Sequence, residues 1–299
     1  MLNSSSQALS TTSPIDEAVA RIRSQWSERP RVGVILGTGL GGLAAEIVAS
    51  AVIPYSDLPH FPRSTALGHA GRLVCGTLDG VPVVAMDGRC HLYEGYSPEQ
   101  VTLPVRVLHA LGIECLVISN ASGGLNPRLD KGDIVVVNSH VNLMGRRARF
   151  GDPARNGHRE HLPGLRDDDA SRQETSLPWS PYADDLVNAA LAVARRSGFA
   201  AMRGTYVGVS GPNYETRAEY RFMTRIGGDV VGMSTIPEVL VASELNLRVL
   251  VLSIVTNVAR PDVAPELAEH TTAASVVDAA AAAAANVCHI VRQVVANHH

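Results

Sequence analysis

Short apolar runs that stop at a glycine or a polar residue recur along this chain, and stretches with helical spacing separate several of them. Residues 31–37, Arg-Val-Gly-Val-Ile-Leu-Gly, form the first such run and read as a buried strand. Similar runs at 73–75, 81–86, 115–119, 134–138, 205–209, 230–233 and 248–256 predict further strands. Ile15, Val19, Ile22 and Trp26 fall on one helical face. Helices are also predicted over 98–111, 181–196, 215–226 and 237–245. A long closing helix is expected from about 266 to 295, because its alanine run at 279–285 is strong helix-forming sequence. Strand and helix in alternation predict an α/β fold with a largely parallel sheet covered on both faces. Residues 1–14 are polar and aperiodic and read as a disordered tail in front of one domain over 15–299. They lack the basic start and apolar core of a signal peptide. The stretch 145–180 is crowded with Arg, Asp, Gly and Pro and reads as a long loop.

Composition narrows the function. A chain of 299 residues with 45% hydrophobic and 18% charged residues suits a soluble globular domain. The formal charge of -3, from 26 basic and 29 acidic side chains, argues against a nucleic-acid binder. No apolar run is expected to reach the length of a membrane span. Cys75, Cys90, Cys115 and Cys288 form no CxxC pair, so a reduced, cytoplasmic protein is the expectation. Lys131 is the sole lysine and lies in a turn, Asp130-Lys131-Gly132-Asp133. A Walker-type phosphate loop and a Schiff-base enzyme both need a lysine elsewhere, so neither is supported.

Polar groups cluster where the predicted strands end. Residues 37–42, Gly-Thr-Gly-Leu-Gly-Gly, match GxGxxG, but the acidic partner of a dinucleotide site is missing. The nearest candidate, Asp57, falls in a proline-bounded loop. What remains is a glycine turn that admits an anion near a helix N-terminus, with Thr38 adding a hydroxyl. Arg89 and His91 share a face if their segment is extended, with Tyr93 continuing the row. A guanidinium beside an imidazole suits a phosphate, and an ordinary strand end is the plain alternative. Cys90 and His91 point to opposite faces, and His158-Arg-Glu-His161 is not HExxH, so metal binding is discounted. Residues 118–127, 211–217, 232–235 and Thr256-Asn257 also lie at strand ends. Each could be a plain turn or cap, yet together they would converge on one rim of an open sheet.

These stretches together resemble the trimeric, lower-mass class of purine nucleoside phosphorylases, with matches in that family's order from about Val32 to His270. The resemblance implies an α/β domain with a mixed, mostly parallel sheet, a small barrel-like element and a homotrimeric assembly. It implies reversible phosphorolysis of a purine nucleoside to free base and ribose 1-phosphate, as in purine salvage, with no metal or organic cofactor. The phosphate site would comprise Thr38, Arg89, His91, the Ala121 backbone and Ser234, with His69 in the loop over it. Tyr93 and Met233 would contact the ribose, and His270 its 5′-hydroxyl. Tyr214, Glu215, Val231 and Asn257 would form the purine pocket, and Asn257, Glu215 and His91 would carry the catalysis.

A 6-oxopurine has a donor at N1, which the acceptor-only carboxylate of Glu215 matches, whereas adenine presents a lone pair there. Inosine and guanosine are therefore expected over adenosine. Methylthioadenosine phosphorylases, also similar to this chain, carry Asp where Asn257 stands and lack Glu at the Glu215 position. A nucleoside-binding sensor without turnover is the alternative from another class. This sequence departs from the family with Thr38 for Ser, Tyr214 for Phe and Ser122 for Ala. Stretch 145–180 matches poorly, and Phe150 and Trp179 are its candidates for an aromatic residue that the family supplies to a neighbouring subunit's ribose site.

Overall fold

Local signals explain most element boundaries in the computed structural model, which describes residues 12–145, 180–262 and 271–297. Ser13 caps the first helix, α1 (Pro14–Arg23), by accepting from the Asp16 amide. Pro14 follows, where its missing N–H leaves no bond unmade. The helix thus begins one residue before the spacing suggests and ends at Arg23, while Trp26 beyond it is still buried. Strand β1 (Val32–Leu36) is buried at every position. A one-turn helix α2 (Gly42–Glu46) then leads into β2 (Val48–Pro54), a strand the apolar pattern misses. Of its residues only Ile53 is buried, because β2 is an edge strand without a second covered face.

Strands β3 (Arg72–Leu78) and β4 (Val81–Asp87) follow, then helix α3 (Pro98–Leu111). Its ends agree with the sequence: Ser97 and Gln100 form a capping box, Pro98 opens the first turn, and Gly112 closes it in the left-handed region at φ 106°. The remaining elements are β5 (Cys115–Gly124), β6 (Ile134–Asn142), α4 (Asp184–Ser197), β7 (Ala201–Gly208), α5 (Arg217–Arg225), β8 (Val230–Gly232), α6 (Ile236–Glu244), β9 (Arg248–Val258) and α7 (Ala273–Ala296).

The strands form one sheet in the order β2-β3-β4-β1-β5-β8-β7-β6-β9, and a β5–β9 pairing closes the last five into a small barrel. Pairings β1–β4, β1–β5, β5–β9, β6–β7 and β7–β8 are parallel. Pairings β2–β3, β3–β4, β5–β8 and β6–β9 are antiparallel, so the sheet is mixed with a parallel majority. Strand β5 is long because it pairs with β1 through its first half, with β8 at its end and with β9 along its whole length. Helices α1, α3 and α6 pack together, and α7 packs against α2, α4 and β9. One apolar core cluster runs from Ala18 to Val295.

Helix α7 corrects an expectation about membranes. It spans 24 residues with a hydropathy of 1.5 in its most apolar window, so by length and composition it could cross a bilayer. Its apolar side instead buries Ala280, Val287, Ile290, Val291 and Val295 in the core. The helix starts at Ala273, capped by Thr272, later than the expected 266. Most of the 145–180 stretch and residues 1–11 lie outside the described residues.

Helix α7 also meets the glycine-rich turn after β1. Gly39 has φ +77°, and a Cβ there would sit 2.6 Å from the Ala280 Cβ and 2.9 Å from the Ala281 amide nitrogen. Gly39→Ala therefore combines backbone strain with a collision against rigid helix. Urea unfolding should show a loss of about 2–4 kcal/mol.

Candidate functional site

The carboxyl ends of β1, β4, β5, β8 and β9 surround a cavity of about 340 Å³. Its walls include Thr38, His69, Arg89, His91, Tyr93, Ala121, Tyr214, Glu215, Val231, Met233, Ser234 and Asn257. Every candidate residue from the sequence thus meets in one place except His270, which lies outside the described residues with Phe150 and Trp179.

One end of the cavity is rich in hydrogen-bond donors. Arg89 follows β4 and is 1% exposed. Its Nη1 donates to Glu238 Oε2 at 2.9 Å and to Thr235 Oγ1 at 3.4 Å, and its Nη2 donates to the Ser119 carbonyl. Three of its five N–H groups are thereby engaged, and two remain for an occupant of the cavity. Gly37 permits this approach, since a Cβ there would lie 2.6 Å from the Ser119 oxygen and 3.1 Å from Arg89 Nη2. Gly37 and Gly39 therefore serve contacts between chain segments. Helix α2 is a single turn that begins only at Gly42, and Gly37 and Thr38 ahead of it line the cavity.

His91 and Tyr93 do not extend β4, contrary to the row expected of a strand. The strand ends at Asp87, and residues 92–94 make a 3-10 turn. The rings nevertheless line up: His69 and His91 stack with centroids 5.5 Å apart, and His91 and Tyr93 with centroids 4.7 Å apart. Glu94 organises them. Its Oε1 accepts from the His91 amide at 2.7 Å and lies 2.8 Å from His91 Nδ1, so that nitrogen carries a proton. Its Oε2 accepts from the Thr65 amide at 2.8 Å and from the Thr65 hydroxyl, tying the 61–70 loop to the turn. His69, in that loop, lies 3.3 Å from Thr38 Oγ1 through Nε2 and 2.8 Å from the Arg89 carbonyl through Nδ1. Burial above all, with Arg89 and His91 adding to it, lowers the His69 pKa to about 4, so the ring is neutral at pH 7.

The opposite end combines ring faces with amide and carboxylate groups. Between Ser122 and Gly123 the β5–β9 register slips, so that Ser122 faces Val255 and Gly123 faces Asn257. Such a bulge re-aims a side chain, here Asn257 into the cavity. Thr256 donates to Asn257 Oδ1 at 3.3 Å and to the Ser122 carbonyl at 3.1 Å. Glu215 does not serve the start of α5. Thr216 and Glu219 form that capping box, which leaves the Glu215 carboxylate to the cavity. Burial raises the Glu215 pKa against the opposing hydrogen bonds from its own amide and from Tyr220.

Sequence reasoning assigned no role to Glu94, Tyr220, Thr235 or Glu238. Glu238 sits in the first turn of α6, an ordinary place for an acid, and only the fold shows it at 2% exposure against Arg89. Among the described residues no group of three or more His, Cys, Asp or Glu side chains is arranged to hold a metal ion.

The chain's sequence matches the phosphorylase superfamily over residues 31–296. It is 45% identical over 245 residues to purine nucleoside phosphorylase 1 of Bacillus subtilis (strain 168), covering 82% of this chain and 85% of that protein. It is 43% identical over 248 residues to the purine nucleoside phosphorylase of Mus musculus, covering 81% of each. Isoform 2 of the Schistosoma mansoni enzyme, solved with cytosine and ribose-1-phosphate, superposes with a TM-score of 0.80 at 33% identity over 94% of this chain and 95% of that one. A Schistosoma purine nucleoside phosphorylase with guanosine superposes with a TM-score of 0.78 at 34% identity and the same coverage.

The Glu94 clasp has a pH signature. Hydrogen bonds from His91 and Thr65 outweigh burial and hold its pKa down at about 2, against an ordinary 4.5. A depressed carboxyl contributes stability that is complete above pH 4.5 and is lost as pH falls towards 2. The thermal midpoint of Glu94→Gln should accordingly be lower than wild type at pH 7 and converge with it in that acid window. Parallel curves would show that the clasp contributes nothing.

Proposed function

The chain belongs to the phosphorylase superfamily and, within it, to the purine nucleoside phosphorylases, pentosyltransferases that exchange the purine of a nucleoside for inorganic phosphate, and we propose how its cavity performs that exchange. Phosphate occupies the donor-rich end, held by Thr38, Arg89, His91, Ser234 and the Ala121 backbone, with His69 over it. Ribose lies against Tyr93, Met233 and His270. The purine lies between Tyr214 and Val231, with its polar edge on Glu215 and Asn257. The observation that carries this reading is the meeting of both kinds of group in a single cavity of about 340 Å³.

A phosphate oxygen attacks C1′ as the C1′–N9 bond breaks, and the bonding pair leaves with the purine. Positive charge grows on the sugar beside the bound anion, whose fixed position removes much of the entropic cost of meeting. Negative charge grows on the purine, where Asn257 donates at N7 and stabilises the base as it becomes an anion or takes a proton. That interaction strengthens only as the bond breaks, so it lowers the barrier. Glu215 accepts from N1–H of a 6-oxopurine and from the amine of guanine, and it repels the N1 lone pair of adenine. This selects inosine and guanosine, as ribosides or deoxyribosides, over adenosine and methylthioadenosine. A sensor without turnover would have no use for the anion end.

Phosphate is the co-substrate, and neither a metal nor an organic cofactor enters any step. The working form is a cytoplasmic homotrimer serving purine salvage, in which Phe150 or Trp179 reaches a neighbouring subunit's ribose. Residues 15–299 act as one domain, in keeping with the large core cluster that runs from α1 to α7.

A nucleoside panel assayed with and without phosphate tests the reading. Hypoxanthine and guanine should be released only with phosphate, and adenosine should react at least about 100-fold more slowly in kcat/KM. Release that persists after phosphate is removed would make the protein a hydrolase. Asn257→Ala should lower kcat by about 10²–10³ and leave the phosphate KM within about threefold. Equal losses in both would point to damaged folding.

A further inference from the structure

Thr235 joins β8 to α6 and is not part of the cavity wall, being 1% exposed. Its backbone lies at φ 73° and ψ −51°, and the Ile236 amide donates to the Ser234 carbonyl at 2.8 Å. Together these define a γ-turn of the rare positive-φ form, which is strained and especially unfavourable for a β-branched residue. Threonine at a helix start ordinarily caps it, yet this side chain makes no capping bond.

The hydroxyl has other partners. Asn120 Nδ2 donates to Thr235 Oγ1 at 3.0 Å, Arg89 Nη1 donates to it at 3.4 Å, and Ser234 Oγ lies 3.0 Å away. A hydroxyl has two lone pairs and one proton. The amide and the guanidinium fill the lone pairs, so the proton is directed at Ser234 Oγ. Ser234 then keeps its own proton for the cavity that it lines. Ser253 braces Asn120 from behind by donating to its Oδ1 at 2.6 Å. The Tyr206 hydroxyl accepts from the Ser234 amide at 3.4 Å and holds the turn from below. The reverse proton order, from Ser234 to Thr235, would need Asn120 turned over so that its Oδ1 accepts from Thr235, and it would turn a Ser234 lone pair towards the cavity. An anion selects the first order.

Resting on the assignment of this end to phosphate, we propose that Thr235 is a positioning residue. Its strained turn and its hydroxyl fix Ser234 as a hydrogen-bond donor aimed at the anion. Nucleoside binding does not depend on it.

A double-mutant cycle with Ser234→Ala, Thr235→Val and both together tests this in steady-state assays that vary phosphate and inosine separately. Thr235→Val should raise the phosphate KM about tenfold while the inosine KM stays within about twofold. Thr235→Ser, which keeps the hydroxyl, should recover the phosphate KM to within about threefold of wild type. Because Thr235 acts through Ser234, the double variant should lose little more than Ser234→Ala alone. Multiplying losses, or equal rises in both KM values, would overturn the proposal. If Thr235→Val does not fold, Thr235→Ala completes the same cycle without the added methyl group. Failure of the phosphate assignment itself looks different: the wild-type protein would then release base with no phosphate requirement.

Discussion

The buried guanidinium of Arg89 is the constraint around which the donor-rich end is arranged. A cation at 1% exposure needs a counter-ion and filled hydrogen bonds, and Glu238 from α6, the Ser119 carbonyl from β5 and the Thr235 hydroxyl supply them. One side chain thereby ties together the end of β4, the middle of β5 and the start of α6. The same pairing limits the electrostatics. With Glu238 behind Arg89, His69 neutral and Glu94 ionised, the end of the cavity is not a pool of positive charge. On the proposed reading, phosphate is held chiefly by directed hydrogen bonds. An anion held this way can be recognised by shape and still leave as a sugar phosphate.

Directed bonds require fixed donors, and the surroundings of the cavity supply that rigidity. Glu94 sets the ring of His91 and anchors Thr65, while His69 spans Thr38 and the Arg89 backbone. A strained backbone at Thr235 persists because several polar contacts hold it, the usual condition for strain near a functional site. At the far end the β5–β9 bulge turns Asn257 inwards, and the Thr216–Glu219 box frees Glu215 from service to α5. Both ends thus rely on neighbours that touch no substrate in the proposed reaction.

Much of this is legible in the sequence alone. Apolar runs located eight of the strands, and the helical stretch at 98–111 matched α3 at both ends. Strand β2 escaped because an exposed edge strand needs no apolar face, and α2 was overread from its glycines. The row from Arg89 to Tyr93 was right in its residues and wrong in its backbone, since ring stacking in a turn leaves no period to read. The expectation that no apolar run has the length of a membrane span failed at α7, because length and composition are shared by a spanning helix and a core helix.

The sequence by itself determined which segments become strands and helices and which residue types stand where strands end, since those depend on local periodicity, capping and motif order. It also carried the resemblance that named the chemistry. Only the tertiary structure decided that the barrel closes through β5 and β9, that Glu238 opposes Arg89, and that Thr235 lies between Asn120, Arg89 and Ser234. Apart from the one to the adjacent Ser234, these are contacts between residues more than a hundred positions apart. No local pattern encodes them, because burial and proton direction exist only once the strands have been brought together.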